Sequence, residues 1–158
     1  KRFKIIITFL TEVMTMEVFL CKYVDDEIMA AFERLVPQLS SSAVMPTRQE
    51  VEEIAANESL LMARDSEQDG LIIGTLTLVT FRIPTGVRAW IEDVVVDTSA
   101  RGQGAGEALT RAALDRAAEL GAKTVDLTSR PSREAANRLY QRVGFVLRQS
   151  NLYRYTLD

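Results

Sequence analysis

Histidine is absent from the 158 residues, and cysteine occurs once, as Cys21. Without histidine there is no Ser-His or Cys-His pair, most zinc ligand sets are excluded, and no metal site is expected. Acid–base chemistry must then fall to carboxylates, tyrosine, lysine or water. A single cysteine cannot close an intramolecular disulfide, so no oxidising compartment is needed and the expected location is cytoplasmic. No excess of positive charge is present either: the formal net charge is −3 and the pI about 5.2. That leaves no basic field for counterion release and argues against a nucleic-acid partner. Apolar runs near the ~20 residues of a membrane helix are missing as well, so no membrane partner is expected.

What remains is a chain 47% hydrophobic and 26% charged, the balance of a globular domain. One domain, residues 14–158, is expected. Residues 1–13 read either as an appended segment or as an extra edge strand. Lys1-Arg2-Phe3-Lys4 ahead of Ile5–Leu10 has some of the character of a signal peptide, but the apolar stretch is short and no small-residue cleavage site follows.

Periodicity orders the elements. Met16–Tyr23 alternates as a strand, and Asp25 and Asp26 then precede an apolar stripe of helical spacing from Ile28 to Val36, ending near Pro37. Thr47 and Glu50 form a T-x-x-E capping box before a second helix. Leu60–Arg64 and Leu71–Thr80 read as a hairpin turning at Asp69-Gly70. After the Pro84-Thr85-Gly86 turn, Trp90–Val96 reads as a strand inside the sheet, because Val94-Val95-Val96 leaves no polar face. Leu109–Leu120 predicts a helix closed at Gly121, and Lys123–Thr128 a further strand. Ser132 could cap a helix over Arg133–Val143 ending at Gly144, followed by strands Phe145–Leu147 and Leu152–Leu157. The order predicts an α/β (α+β) fold, a mixed and mostly antiparallel sheet flanked by helices.

Arg101-Gly102-Gln103-Gly104-Ala105-Gly106 lies between the strand ending at Val96 and the next helix. The first amides of a helix have no intrahelical acceptor, glycine lets a ligand approach the backbone, and the helix dipole favours an anion such as pyrophosphate. Arg101 adds a full positive charge. A plain strand-to-helix turn would use one glycine; three alternating after an arginine favour phosphate. The dinucleotide pattern G-x-G-x-x-G fails at Glu107, and the G-K-[ST] of a P-loop is absent.

This loop resembles the R/Q-x-x-G-x-G/A pyrophosphate loop of the GNAT acetyltransferases. Leu139-Tyr140 followed by Gly144-Phe145 resembles the L-Y-x-x-x-G-F signature of that family's last core helix. The resemblance covers about Trp90 to Phe145. It implies the GNAT acyltransferase fold, acetyl-CoA as cosubstrate, and direct acetyl transfer in a ternary complex to an amine of a small molecule or peptide. It also implies that backbone groups of Val94, Val95 and Val96 pair with the pantetheine arm where their strand splays from Lys123–Thr128. Ile91–Val96 further resembles the corresponding strand of glucosamine-6-phosphate N-acetyltransferases.

Aminolysis of a thioester needs a free amine and a proton for the departing thiolate. Glu92 and Asp93 interrupt the apolar strand and are the candidate bases; partial desolvation there would raise a carboxyl pKa, and alternation would put the two on opposite faces. Tyr140 matches the family tyrosine that faces the CoA sulfur, so its phenol is the candidate donor. Asn137, one turn earlier, could bond the pantetheine amides. Arg133 replaces an asparagine common in the family, a cation available to the cofactor's phosphates. The competing reading is a catalytically silent acyl-CoA-binding regulatory or interaction domain. The C-terminal strand or residues 3–10 could pair across a homodimer.

Overall fold

The computed structural model describes residues 2–9, 12–66 and 70–157, with backbone alone for 2–9 and 12–15. The chain divides into two compact units, Lys1–Thr128 and Ser129–Asp158.

The first unit holds a sheet of six strands in sequential order: β1 (Arg2–Phe9), β2 (Glu12–Leu20), β3 (Ser59–Asp65), β4 (Ile72–Ile83), β5 (Gly86–Val96) and β6 (Ala122–Leu127). All neighbours are antiparallel except β5 and β6, which run parallel. The expected mixed, mostly antiparallel sheet is therefore present. A parallel pair needs a crossover, and helix α3 (Ala105–Glu119) supplies it. Asp69 of the expected hairpin turn lies outside the described residues; beside it, the Asp65 amide donates to the Leu71 carbonyl at 2.9 Å.

Leu60, Leu61, Met62 and Ala63 are consecutive and all buried, so β3 is covered on both faces. Cover comes on one face from α1 (Asp26–Leu39) and α2 (Arg48–Asn57), whose Ile28, Phe32, Leu35 and Val51 join Leu60, Met62 and Ile72 in one cluster. α3 also packs on β3 and β4, and its buried Ala105, Ala108, Ala112, Ala113 and Ala117 keep the helix close to what it packs on.

Local chemistry sets the ends. The Asp25 carboxylate caps α1 at the Ile28 amide, 2.9 Å. Thr47 and Glu50 form the expected reciprocal capping box of α2. α1 does not stop at Pro37 but runs through it to Leu39. The proline sits in the last turn, where the bond it forgoes is near the frayed end; the Ser40 amide still reaches the Val36 carbonyl, 3.2 Å. Gly121 follows α3 at φ +76°, as expected of a helix stop. Between β4 and β5, Lys123 Nζ donates to the Thr85 carbonyl at 3.0 Å, tying the hairpin tip to the start of β6. Among the described residues no helix is long and apolar enough to cross a membrane.

In the second unit α4 (Glu134–Val143) has Arg133 rather than Ser132 at its N-cap, without a side-chain cap bond, and Gly144 at its C-cap with φ +114°. The strands expected at Phe145–Leu147 and Leu152–Leu157 are not formed. Val146, Leu147, Leu152, Tyr153, Tyr155 and Leu157 are all exposed. Alternation makes a strand only where a neighbour completes the ladder, and no strand lies within this unit's described residues to do so.

Candidate active site

β5 leaves its regular path at Glu92. Thr77 stands opposite Glu92 and Thr75 opposite Val95, so Asp93 and Val94 together face Leu76, a two-against-one bulge. Asp93 carries the strain at φ +49°, the one non-glycine with positive φ among the described residues. The bulge interrupts the regular register that the alternation assumed, and Glu92 and Asp93 are both exposed rather than desolvated. Val95 is buried, at 5% exposure, while Val94 and Val96 are half-buried.

On the other side of β5, the parallel register runs from Val87↔Ala122 to Ile91↔Leu127 and ends there. Among the described residues no strand pairs with that side of Glu92–Val96. An open strand edge offers amide and carbonyl groups to any extended ligand laid against it. Gly74 lets this region pack: a Cβ there would lie 3.0 Å from the Val95 carbonyl oxygen and 3.1 Å from Leu109 Cδ1. Its role had a signal in the sequence, a glycine inside an apolar strand.

The chain then turns through Thr98–Ala100 into the glycine loop. Gly102 and Gly104 have φ of +79° and +90°, backbone that side chains rarely adopt. Gly104 is the N-cap of α3 and gives it no side-chain cap, so the first-turn amides are left for a ligand. A Cβ added at Gly102 would meet nothing within 4 Å, which makes that side of the loop open. Arg101 is exposed; its Nε makes a long contact, 3.4 Å, with the Val96 carbonyl. Gln103 Nε2 donates to the Ser99 carbonyl at 3.3 Å, and Ala105 is buried under the helix start. Open glycine backbone, an uncapped helix N-terminus and a nearby guanidinium suit a pyrophosphate, and the open edge of β5 suits an amide-bearing arm.

Beneath the loop lies a support the sequence reading missed. The buried Asp97 carboxylate accepts from the Ser99 amide at 3.0 Å, the Ser99 hydroxyl at 2.8 Å and Arg34 Nε at 2.8 Å. Burial pushes this carboxyl up, but hydrogen bonds from Ser99, Arg34 and Gln38 outweigh it and bring its pKa down to about 2. The local signal was the Asp97-Thr98-Ser99 turn; nothing local announced Arg34, distant in sequence.

In the second unit, considered by itself, Tyr140 packs edge-on against Phe145 with ring centroids 5.9 Å apart. Burial pushes its phenol pKa up, with the Arg133 charge opposing, so it stays protonated near neutrality. Asn137 spends its amide nitrogen on the Arg130 carbonyl at 3.0 Å, holding the turn before α4.

Residues 23–145 match the Acetyltransferase (GNAT) family. The chain belongs to that family. A curated relative, N-alpha-acetyltransferase 30 of Schizosaccharomyces pombe, is 38% identical over 74 residues, 47% of this chain and 49% of the relative. The match thus spans about half of that protein's length. Among solved structures, glucosamine-6-phosphate N-acetyltransferase from Arabidopsis thaliana superposes with a TM-score of 0.72 at 20% identity, over 87% of this chain and 97% of its own. An aminoglycoside N-acetyltransferase, AAC(6')-Iy, in complex with CoA gives 0.74 at 15% identity, over 94% of this chain and 99% of its own. At those identities the two structures speak for the GNAT fold. The family is one of acetyltransferases.

Proposed function

We propose that this chain moves the acetyl group of acetyl-CoA directly to an amine of a small molecule or peptide within a ternary complex. The observation that carries the reading is the uncapped, glycine-opened N-terminus of α3 following a β5 edge that no strand covers among the described residues. When bound, acetyl-CoA supplies a thioester-activated acetyl group with a thiolate leaving group. Amides of Gly102–Gly106 and Arg101 would hold the pyrophosphate, and backbone of Val94–Val96 the pantetheine arm.

Glu92 is the base we assign to the amine, directly or through water; its exposure suits proton release to solvent. Asp93 is the alternative base, although its strained backbone gives it a separate task in shaping the bulge. Tyr140, kept protonated by burial, is the donor assigned to the departing thiolate. Asn137 is better read as holding its own helix start than as a cofactor ligand. The relative named an N-alpha-acetyltransferase and the neighbours named as glucosamine-6-phosphate and aminoglycoside N-acetyltransferases are all N-acetyltransferases by name, which supports the amine class without choosing among its members.

Calorimetry with CoA, together with thiol release from acetyl-CoA over an amine panel, tests the proposal. Micromolar CoA binding and amine-dependent thiol release are expected. Binding without turnover on any amine would mark a silent acyl-CoA-binding module, and no binding would overturn the cofactor assignment.

A further inference from the structure

The glycine loop is open at Gly102, where an added Cβ would meet nothing within 4 Å, and a loop of this composition gains anion affinity when something fixes its amides before the ligand arrives. The fixing groups come from α1, on the far side of the sequence. Arg34 Nε donates to Asp97 Oδ2 at 2.8 Å, and its Nη2 donates to the Ile72 carbonyl on β4. Gln38, one turn on, accepts through Oε1 from the Thr98 amide at 2.8 Å and from the Thr98 hydroxyl at 3.1 Å. Its Nε2 donates back to the Arg34 main-chain carbonyl at 3.0 Å, which holds the Gln38 amide on α1, and with both side chains reaching the same turn the two form a bracket. Asp97 closes it from below, with its amide on the Ile73 carbonyl at 2.8 Å and its carboxylate on Ser99.

We infer that Arg34 and Gln38 of α1 are positioning residues for the cofactor's pyrophosphate, acting by locking the Asp97–Ser99 turn that launches the glycine loop. The inference rests on the reading of that loop as the pyrophosphate site. Arg34 Nε and Gln38 Oε1 reach the turn at Asp97 and Thr98, and neither side chain bonds the loop itself, so the effect is transmitted. Ser99 passes it on: its amide and hydroxyl are held by Asp97 while its carbonyl receives Gln103, a residue of the loop. Arg34 is suited to the task because its planar fork reaches a carboxylate and a carbonyl at once, which a lysine's single ammonium matches only in part. The bracket also ends at α1's last turn, so the segment 40–46 that leaves it starts from a fixed point.

The test separates a ligand that carries pyrophosphate from one that does not. Arg34→Met, Arg34→Lys and Gln38→Leu are compared with the unmodified chain by CoA calorimetry, and by the KM values for acetyl-CoA and for S-acetyl-pantetheine. Expected is a loss of CoA affinity of about ten-fold in Arg34→Met and Gln38→Leu, partial recovery in Arg34→Lys, and a matching rise in KM for acetyl-CoA. The rate constant at saturation and the KM for S-acetyl-pantetheine should stay within about two-fold. Equal losses for both thioesters, or a lowered melting temperature with unchanged CoA affinity, would make the bracket merely structural and overturn the inference. Should Arg34→Met fail to fold, Gln38→Leu decides alone, since Gln38 is not part of the buried ion pair. Absence of CoA binding in the unmodified chain would instead sink the loop assignment, a distinct result.

Discussion

Ile91 faces Leu127 in the last rung of the parallel pairing between β5 and β6, and the next residues of β5 enter the bulge. The end of pairing and the bulge are adjacent, so Asp93 shapes the strand where its edge becomes free. At φ +49° an ordinary side chain costs roughly 1–2 kcal/mol, with aspartate on the tolerant side. Asp93→Gly should therefore keep or raise the melting temperature, whereas Asp93→Val should lower stability by about 1–2 kcal/mol. Chemical denaturation of both variants checks this; a Val variant as stable as the parent would mean the bulge is not strained.

A carboxylate placed in the glycine loop should remove cofactor binding by filling the open backbone and repelling phosphate. At a CoA concentration about a hundred times Kd, the parent gains roughly 2.7 kcal/mol of stability. Gly104→Glu should show no such gain in a thermal-shift experiment. Arg101→Ala should retain part of it, since the amides of the loop remain; full retention in Gly104→Glu would refute the loop assignment.

Proton transfer is probed by three near-isosteric changes. Glu92→Gln should lower turnover near neutral pH by ~10²–10⁴ and recover partly at alkaline pH, where more of the amine is already free base. Asp93→Asn is the control, and a loss confined to it would move the role. Tyr140→Phe keeps the ring against Phe145 and should preserve CoA affinity while slowing the rate at saturation; an undiminished rate would remove the hydroxyl from the chemistry.

Asp97 makes a pH-dependent contribution of predictable sign. Its folded pKa of about 2 lies below the ordinary 3.8, so its stabilisation is fully present above the ordinary value and is lost as pH falls through the folded one. The stability difference between the parent and Asp97→Asn should thus be constant at neutral and mildly acid pH and shrink between 3.8 and about 2. Denaturation curves across that range measure it. A difference independent of pH would show that the carboxylate's charge is not what Arg34 and Ser99 hold.

Features written in consecutive residues were legible in the sequence. Thr47 and Glu50 announced a cap, Pro84-Thr85-Gly86 a turn, and the three glycines after Arg101 an open helix start. Features that depend on a distant partner were not. Arg34 looks like any solvated helix residue until Asp97 is brought beside it. The bulge escaped because strand alternation is a regular rule and Asp93 breaks it at a residue type that only tolerates the left-handed region. The C-terminal strands were overcalled for the converse reason: Leu152–Leu157 has the pattern of a strand, but pattern supplies no neighbour.

The Lys123 bond to the hairpin tip, at the opposite end of β6 from the free edge, has a mechanical reading. Its aliphatic stem lies over Gly86, where an added Cβ would come within 2.9 Å of Lys123 Cε and where φ of +126° favours glycine. The seam between β5 and β6 is fastened at Val87 and Ala122 and released beyond Ile91 and Leu127. Tension on the strand pair would therefore be borne at the clasped end, while the free end of β5 keeps its backbone groups available to an extended ligand.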